Sequence, residues 1–124
     1  MPEEYIITPD DFLYRRFPIN NPNFWKWANE RKVPTSAAFK TKPGENGLSV
    51  DIAALTTPEK SVMDTTMFNI AEISAATPIN LNIPCVHNPM PDNEAHALIL
   101  GENTKAISKK LSLAVTNIYN FEKI

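Results

Sequence analysis

HNPMPDNEAHALILGENTKAISKKLSLAVTNI, residues 87–118, is the stretch whose reading decides the fold. In His87-Asn88-Pro89-Met90-Pro91-Asp92-Asn93 two prolines remove backbone donors and fix φ, while Asn and Asp favour turns. Ala95–Leu100 then reads as a short, largely buried strand with Gly101 as its stop. Asn103 is the expected N-cap of a final helix. Within that helix Ile107, Leu111, Ala114 and Ile118 recur at the spacing of one apolar face, and Ser108, Lys109 and Ser112 point elsewhere. A polar loop, a strand and a helix in succession predict an α+β domain.

Working upstream, Ile83–His87 is a strand leading into that loop, and Thr77-Pro78 begins a turn or a one-turn helix. Ile70–Ala75 reads as a strand, with helix as the alternative. Thr57-Pro58-Glu59-Lys60 offers a cap, a proline at the first position and an acid in the first turn, which predicts a short helix to about Asp64. Leu48–Ile52 alternates apolar and polar residues, a strand with one wet face. Residues 42–47 are a loop, and Ser36–Phe39 is a strand or a helical turn. The Asn- and Pro-rich segment Pro18–Pro34 is expected to be irregular, anchored by Phe24, Trp25 and Trp27. Phe12–Phe17 is a strand with Leu13, Arg15 and Phe17 on one face and Phe12, Tyr14 and Arg16 on the other. Thr8-Pro9-Asp10-Asp11 repeats the helix start for at most one turn, and Tyr5–Ile7 is a short strand. The expectation is one small α+β domain over residues 1–124. It would hold a four- to five-stranded mixed or antiparallel sheet with the C-terminal helix packed on it.

Composition bounds the function. The chain has 124 residues, 43% hydrophobic and 21% charged, enough for one core and ordinary for a soluble globular protein. No apolar run approaches the ~18 residues of a membrane span, and the acidic start MPEEYIITPDD has no signal-peptide character. Cys85 is the single cysteine, which excludes an intrachain disulfide and points to a reducing cytoplasm. Gly44, Gly47 and Gly101 cannot build a P-loop or a dinucleotide fingerprint. No glycine-flanked serine forms a nucleophile elbow. Pro84-Cys85 precedes His96 and lacks a second cysteine, so the zinc-deaminase pattern fails.

The net charge of −2 hides an asymmetry. Arg15, Arg16, Lys26, Arg31, Lys32, Lys40 and Lys42 are opposed within their stretch only by Glu30. From Gly44 to Glu102 the acids Glu45, Asp51, Glu59, Asp64, Glu72, Asp92, Glu94 and Glu102 meet only Lys60. One surface is expected to be basic and another acidic, which bears on partners rather than fold.

Candidate site residues follow from burial and chemistry. His96 sits in an apolar run, where its ring requires a hydrogen-bond partner. A backbone carbonyl or Asn93 would make it a structural histidine; at the mouth of a cleft it would serve as a general acid or base. One of Arg15 and Arg16 must point inward and meet a carboxylate such as Asp51, carbonyls or a bound anion. Ser36 and Ser49 are the nearest hydroxyls. Cys85, His87, Asp92, Glu94 and His96 crowd together but match no common metal spacing, so a solvated loop with a buried cysteine is expected, with no metal and no cofactor. The basic stretch 15–42 with Phe17, Phe24, Trp25, Trp27 and Phe39 has the ingredients of a single-stranded nucleic-acid surface, through phosphate contacts and base stacking.

Leu13-Tyr14-Arg15-Arg16, Thr35-Ser36-Ala37-Ala38-Phe39, Leu48-Ser49-Val50-Asp51 and Asn93-Glu94-Ala95-His96-Ala97 together resemble small uncharacterised bacterial proteins of similar length. That resemblance spans most of the chain and implies no particular activity. A weaker likeness is to the ADP-ribosyltransferase-like fold, where an early strand supplies Arg or His, a middle strand Ser or Tyr, and a late strand a glutamate or another polar residue. The matching positions are Arg15 or Arg16, Ser49, and Glu94 or His96, and the likeness implies transfer chemistry on NAD.

Three functional expectations result. The first is a binding or accessory module for a small anionic ligand or a protein partner, with Arg15, Arg16, Ser36 and Asn93 as binding residues. The second is a small transferase or hydrolase using Arg15 or Arg16, Ser49 and His96. The third is a nucleic-acid binder through residues 15–42. An enzyme should gather an arginine, a serine and His96 around one cleft, whereas a module should scatter them.

Overall fold

Leu13, Arg15 and Phe17 alternate with Phe12, Tyr14 and Arg16 along β1 (Phe12–Pro18), and this alternation sets the layering of the molecule. The computed structural model describes residues 5–28, 30–41, 45–101 and 104–121. After β1 come β2 (Trp25–Ala28), β3 (Arg31–Pro34), a 3₁₀ turn (Ser36–Phe39), β4 (Gly47–Ile52) and a second 3₁₀ turn (Ala53–Leu55). Next are α1 (Pro58–Ser61), β5 (Phe68–Ser74), α2 (Ala76–Asn80), β6 (Cys85–His87), β7 (His96–Leu100), α3 (Lys105–Leu113) and β8 (Val115–Tyr119). Six strands form one antiparallel sheet in the order β6-β7-β4-β1-β5-β8, and β2 and β3 pair as a separate hairpin. The chain is a small single α+β domain, but its sheet has six strands rather than the four or five expected.

The sheet has two unlike faces. On one, Leu13 and Phe17 of β1, Leu48, Val50 and Ile52 of β4, Ala97 and Ile99 of β7 and Ile73 of β5 join the main apolar core. Phe39 of the 3₁₀ turn and Leu111 of α3 close over this face, both fully buried. Trp25 and Val33 of the hairpin pack against the same core. The other face carries Tyr14 and Ile70, covered by Val62 just after α1 in a smaller cluster. Gly47 has a packing reason: a Cβ there would lie 2.5 Å from the Ile99 carbonyl oxygen, so only glycine lets β4 and β7 approach at that point.

Several expected elements change. The final helix ends at Leu113, with Ala114 as its C-cap, and Ile118 buries itself from β8 instead. The apolar spacing from Ile107 to Ile118 satisfied a helix, but Val115, Thr116 and Ile118 are also β-branched, and their strand gains a sheet edge beside β5. Asn103 lies outside the described residues; the Thr104 side chain accepts from the Ile107 amide and caps the helix. Thr8–Asp11 makes a turn rather than a helical turn, because Asp11 accepts from the Thr8 amide and the Asp11 amide returns to the Thr8 carbonyl. Tyr5–Ile7 is not a strand. The segment expected to be irregular contains the hairpin. Helix α1 stops at Ser61, and α2 is the short helix at Thr77-Pro78. Ser36–Phe39 resolves to the helical alternative and residues 70–74 to the strand. Among the described residues no helix is long and apolar enough to cross a membrane.

Candidate functional site

Register on the second face gathers polar groups from three central strands. Tyr14 of β1 lies opposite Asp51 of β4, and Asp51 lies opposite His96 of β7. Ser49 and Arg16 follow by alternation on the same face, with Ser49 diagonal to His96. Tyr14, Arg16, Ser49, Asp51 and His96 line one open recess of about 10 Å³, with the backbones of Arg15 and Val50 as floor. That is room for about one water molecule.

Ser49 and His96 touch. The Ser49 Oγ is 3.2 Å from His96 Nε2, and the other ring nitrogen, Nδ1, is 2.9 Å from the Asn88 carbonyl oxygen. A carbonyl can only accept, so Nδ1 carries the proton and Nε2 is left as the acceptor for the serine hydroxyl. The Asn88 side-chain amide also approaches Nδ1, at 3.4 Å; the shorter carbonyl contact decides the tautomer. Asn88 is held in turn by its own amide, which donates to the His96 carbonyl at 2.8 Å. Pro89 keeps Asn88 out of the helical region and so in the extended backbone this double link requires. Ser49, His96 and the Asn88 carbonyl form a connected chain, the arrangement that nucleophile activation requires.

Arg16 supplies the positive charge beside them. Its Nη1 donates to the Ser61 carbonyl at 2.9 Å and lies 3.9 Å from Asp51 Oδ2, with 29% of its side chain exposed. Asp51 is 4% exposed and already satisfied: Ser61 Oγ donates at 2.6 Å and Asn93 Nδ2 at 2.8 Å. Asp51 therefore ties α1 and the 88–95 loop to the sheet rather than serving as a free base, and the wet face expected for β4 is buried at this position. Tyr14 is pushed up to about 12 by burial first and then by Tyr119 and Glu72, so its phenol stays protonated near neutrality.

The other expected residues separate from this group. Arg15 points to the core face, donating from Nε to the Ala38 carbonyl at 2.8 Å and from Nη1 to the Ser49 carbonyl at 2.9 Å. Its partners are carbonyls, not Asp51. Burial, then the charge of Arg16, pulls it down to about 10 against the pull of Glu45, which still leaves it charged at neutral pH. Ser36 opens the 3₁₀ turn under α3 and does not line the recess. Asn93 gives its side chain to Asp51 and to the Ala95 amide, so it is not the partner of the His96 ring, although its carbonyl accepts from the His96 amide at 3.3 Å. It lines a second recess of about 230 Å³ with Asp51, Leu55, Lys60, Met63 and Glu94.

The crowded segment 85–96 does not converge. His87 accepts the Tyr5 amide at Nδ1 and its Nε2 is 2.7 Å from the Glu94 carbonyl, while Cys85 is pushed up to about 11 by burial. Among the described residues no group of three or more His, Cys, Asp or Glu is placed to hold a metal ion. The sequence reading missed Asn88 and Tyr14. Asn88-Pro89 was a visible signal for a pinned carbonyl, but its target needed strand pairing to be known. Comparison with protein-family models, curated proteins and solved structures finds no match.

Proposed function

We propose that the chain is a small cytoplasmic enzyme, a hydrolase or transferase acting on the acyl or phosphoryl group of a small anionic molecule. The observation that carries this reading is the Ser49–His96 contact at 3.2 Å, with His96 oriented by the Asn88 carbonyl, in the recess that Arg16 also lines. His96 Nε2 takes the Ser49 proton as Oγ attacks the acyl or phosphoryl centre, and then gives it to the departing group. Water, or a second acceptor, then donates its proton to Nε2 and attacks the Ser49 adduct, and His96 returns that proton to Ser49. Arg16 holds the charge on the reacting group. The recess holds about one water molecule, so the acyl or phosphoryl group meets Ser49 at its open mouth and the body of the substrate stays outside.

A fluorophosphonate probe tests this directly, because P–F displacement by Ser49 leaves a stable adduct located by peptide mass spectrometry. Labelling at Ser49 is expected, lost in Ser49→Ala and slowed by about 10²–10⁴ in His96→Gln, the usual worth of a general base. Folded protein that leaves Ser49 unmodified defeats the proposal.

One observation favours a second reading. The His96 partner is a neutral carbonyl, not a carboxylate, so no charge supports an imidazolium. On this reading the recess is the anion-binding site of an accessory module, with Arg16 as the charged donor and the Ser49 hydroxyl beside it. Phosphate binding abolished by Arg16→Leu, without probe labelling, would select it.

A further inference from the structure

The layer over the core face carries a charge distribution that the linear sequence conceals. The hairpin and the 3₁₀ turn come from the basic early stretch, but α3 belongs to the other end of the chain. Packing joins them: Ser108 Oγ donates to the Phe39 carbonyl at 3.2 Å, and Trp25, Val33, Phe39, Ile107 and Leu111 share one apolar cluster. Lys26 and Arg31 on the hairpin, Lys40 after the turn, and Lys105, Lys109 and Lys110 on α3 are all exposed. Among the described residues of 19–41 and 104–114 the sole acid is Glu30. Of the other described acids, Asp51 and Glu72 lie on the second face and Asp92 and Glu94 line the larger recess beside it, while Glu45 acts on Arg15 on the core side.

An aromatic platform stands within this basic layer. Trp27 is 65% exposed and meets Trp25 edge to face, centroids 5.5 Å apart at 85°. Lys32 Nζ sits 4.4 Å from the Trp25 ring centroid and 6.0 Å from that of Trp27, so a cation already lies beside the indoles. The edge-to-face arrangement and the exposure leave indole surface open to a flat partner.

We infer that this layer is a binding surface for single-stranded nucleic acid, independent of the Ser49–His96 site, with Trp27 stacking a base and the exposed lysines of the turn and α3 contacting phosphates. Stacking works for any base and phosphate contacts carry no sequence information, so binding is sequence-tolerant and salt-sensitive. A lipid surface fits less well, because it calls for a continuous apolar face. Here Trp27 and Leu113 are the exposed large apolar side chains on these elements. The surface differs from the basic stretch seen in the sequence: Arg15 and Arg16 drop out into the sheet, and three lysines of α3 enter.

Fluorescence anisotropy with a labelled oligothymidylate of about twelve nucleotides, within the usual site sizes, tests the inference on the full chain. Binding at about 50 mM salt is expected, falling with salt at a log–log slope of about −0.7 for each phosphate contact. Trp27→Ala should weaken it about 5- to 150-fold by loss of one stacked base. Lys105→Gln with Lys109→Gln, both on the solvent side of α3, should flatten the salt slope by about 0.7 per lysine. That pair carries the test should Trp27→Ala lower the unfolding midpoint. Ser49→Ala should bind as wild type, which separates this surface from the proposed enzyme site. Absence of binding at low salt overturns the inference. So does binding to heparin or anionic vesicles as tight as to the oligonucleotide together with oligonucleotide binding unchanged in the variants.

Discussion

Arg15 and Arg16 are neighbours in the chain and opposites in the fold. Arg15 enters the face closed by α3, the 3₁₀ turn and the hairpin, and spends its donors on the Ala38 and Ser49 carbonyls. Arg16 enters the face that α1 and the 88–95 loop cover only in part, donates to the Ser61 carbonyl and keeps 29% of its side chain exposed. The period of a strand assigns identical side chains to different work. A cation under a closed layer must be satisfied by the protein itself and becomes a structural brace. A cation under an incomplete layer keeps donors for something else. Ser49 spans both worlds: its carbonyl receives Arg15 while its hydroxyl faces His96 in the recess. The brace on one face thus fixes the backbone of Ser49, whose hydroxyl lies on the other.

The largest expected effect lies on the closed face. Leu111→Ala removes a fully buried side chain, and truncation of this kind costs about 2–5 kcal/mol. A urea midpoint unchanged by the substitution would show that α3 does not seal that face. Next comes the arginine pair. Arg15→Leu leaves two carbonyls without their charged donor and should cost about 3 kcal/mol. Arg16→Leu removes a half-solvated cation and should cost about 1 kcal/mol or less. Equal losses in parallel denaturations would erase the distinction between the faces.

The difference between the faces was half legible in the sequence. Alternation along Phe12–Phe17 separated Arg15 from Arg16 and required that the inward one be satisfied, because period-2 patterning is local information. Which carbonyls would satisfy it was not local: Ala38 and Ser49 come from segments brought together by strand order. His96, Ser49 and an arginine were singled out by residue chemistry alone. Their meeting depends on β1, β4 and β7 being adjacent, an order that skips β2 and β3 and then β5 and β6 in the chain. The last helix was over-read, since Ile107, Leu111, Ala114 and Ile118 fit a 3.6 period whether or not the chain turns at Ala114. β8 formed because β5 offered an open edge, and no property of residues 115–119 by themselves announces a neighbour. The hairpin escaped notice for a different reason. Asn and Pro dominate its flanks, and its own alternation of Trp25, Lys26 and Trp27 spans too few residues to stand out.

The smallest effect probes the edge of the closed face, where Cys85 of β6 packs against the core. Burial pushes this thiol up from 9.0 to about 11. As pH rises past 9 the unfolded chain loses its thiol proton first, so between about 9 and 11 the folded state binds more protons than the unfolded state. Stability from this residue is therefore complete below pH 9 and falls as pH climbs through that window. The gap in thermal midpoint between wild type and Cys85→Ala should be level from about pH 6 to 8, below the unfolded thiol pKa, and shift against wild type above 9. The same elevation makes the thiolate scarce, so alkylation of the native protein near pH 8 should run about 100-fold slower than for a free thiol, with ordinary rates restored in urea. A gap that stays level through the alkaline window, with native alkylation at the free-thiol rate, would place Cys85 in solvent. It would also show that the closed face ends at β7 rather than β6.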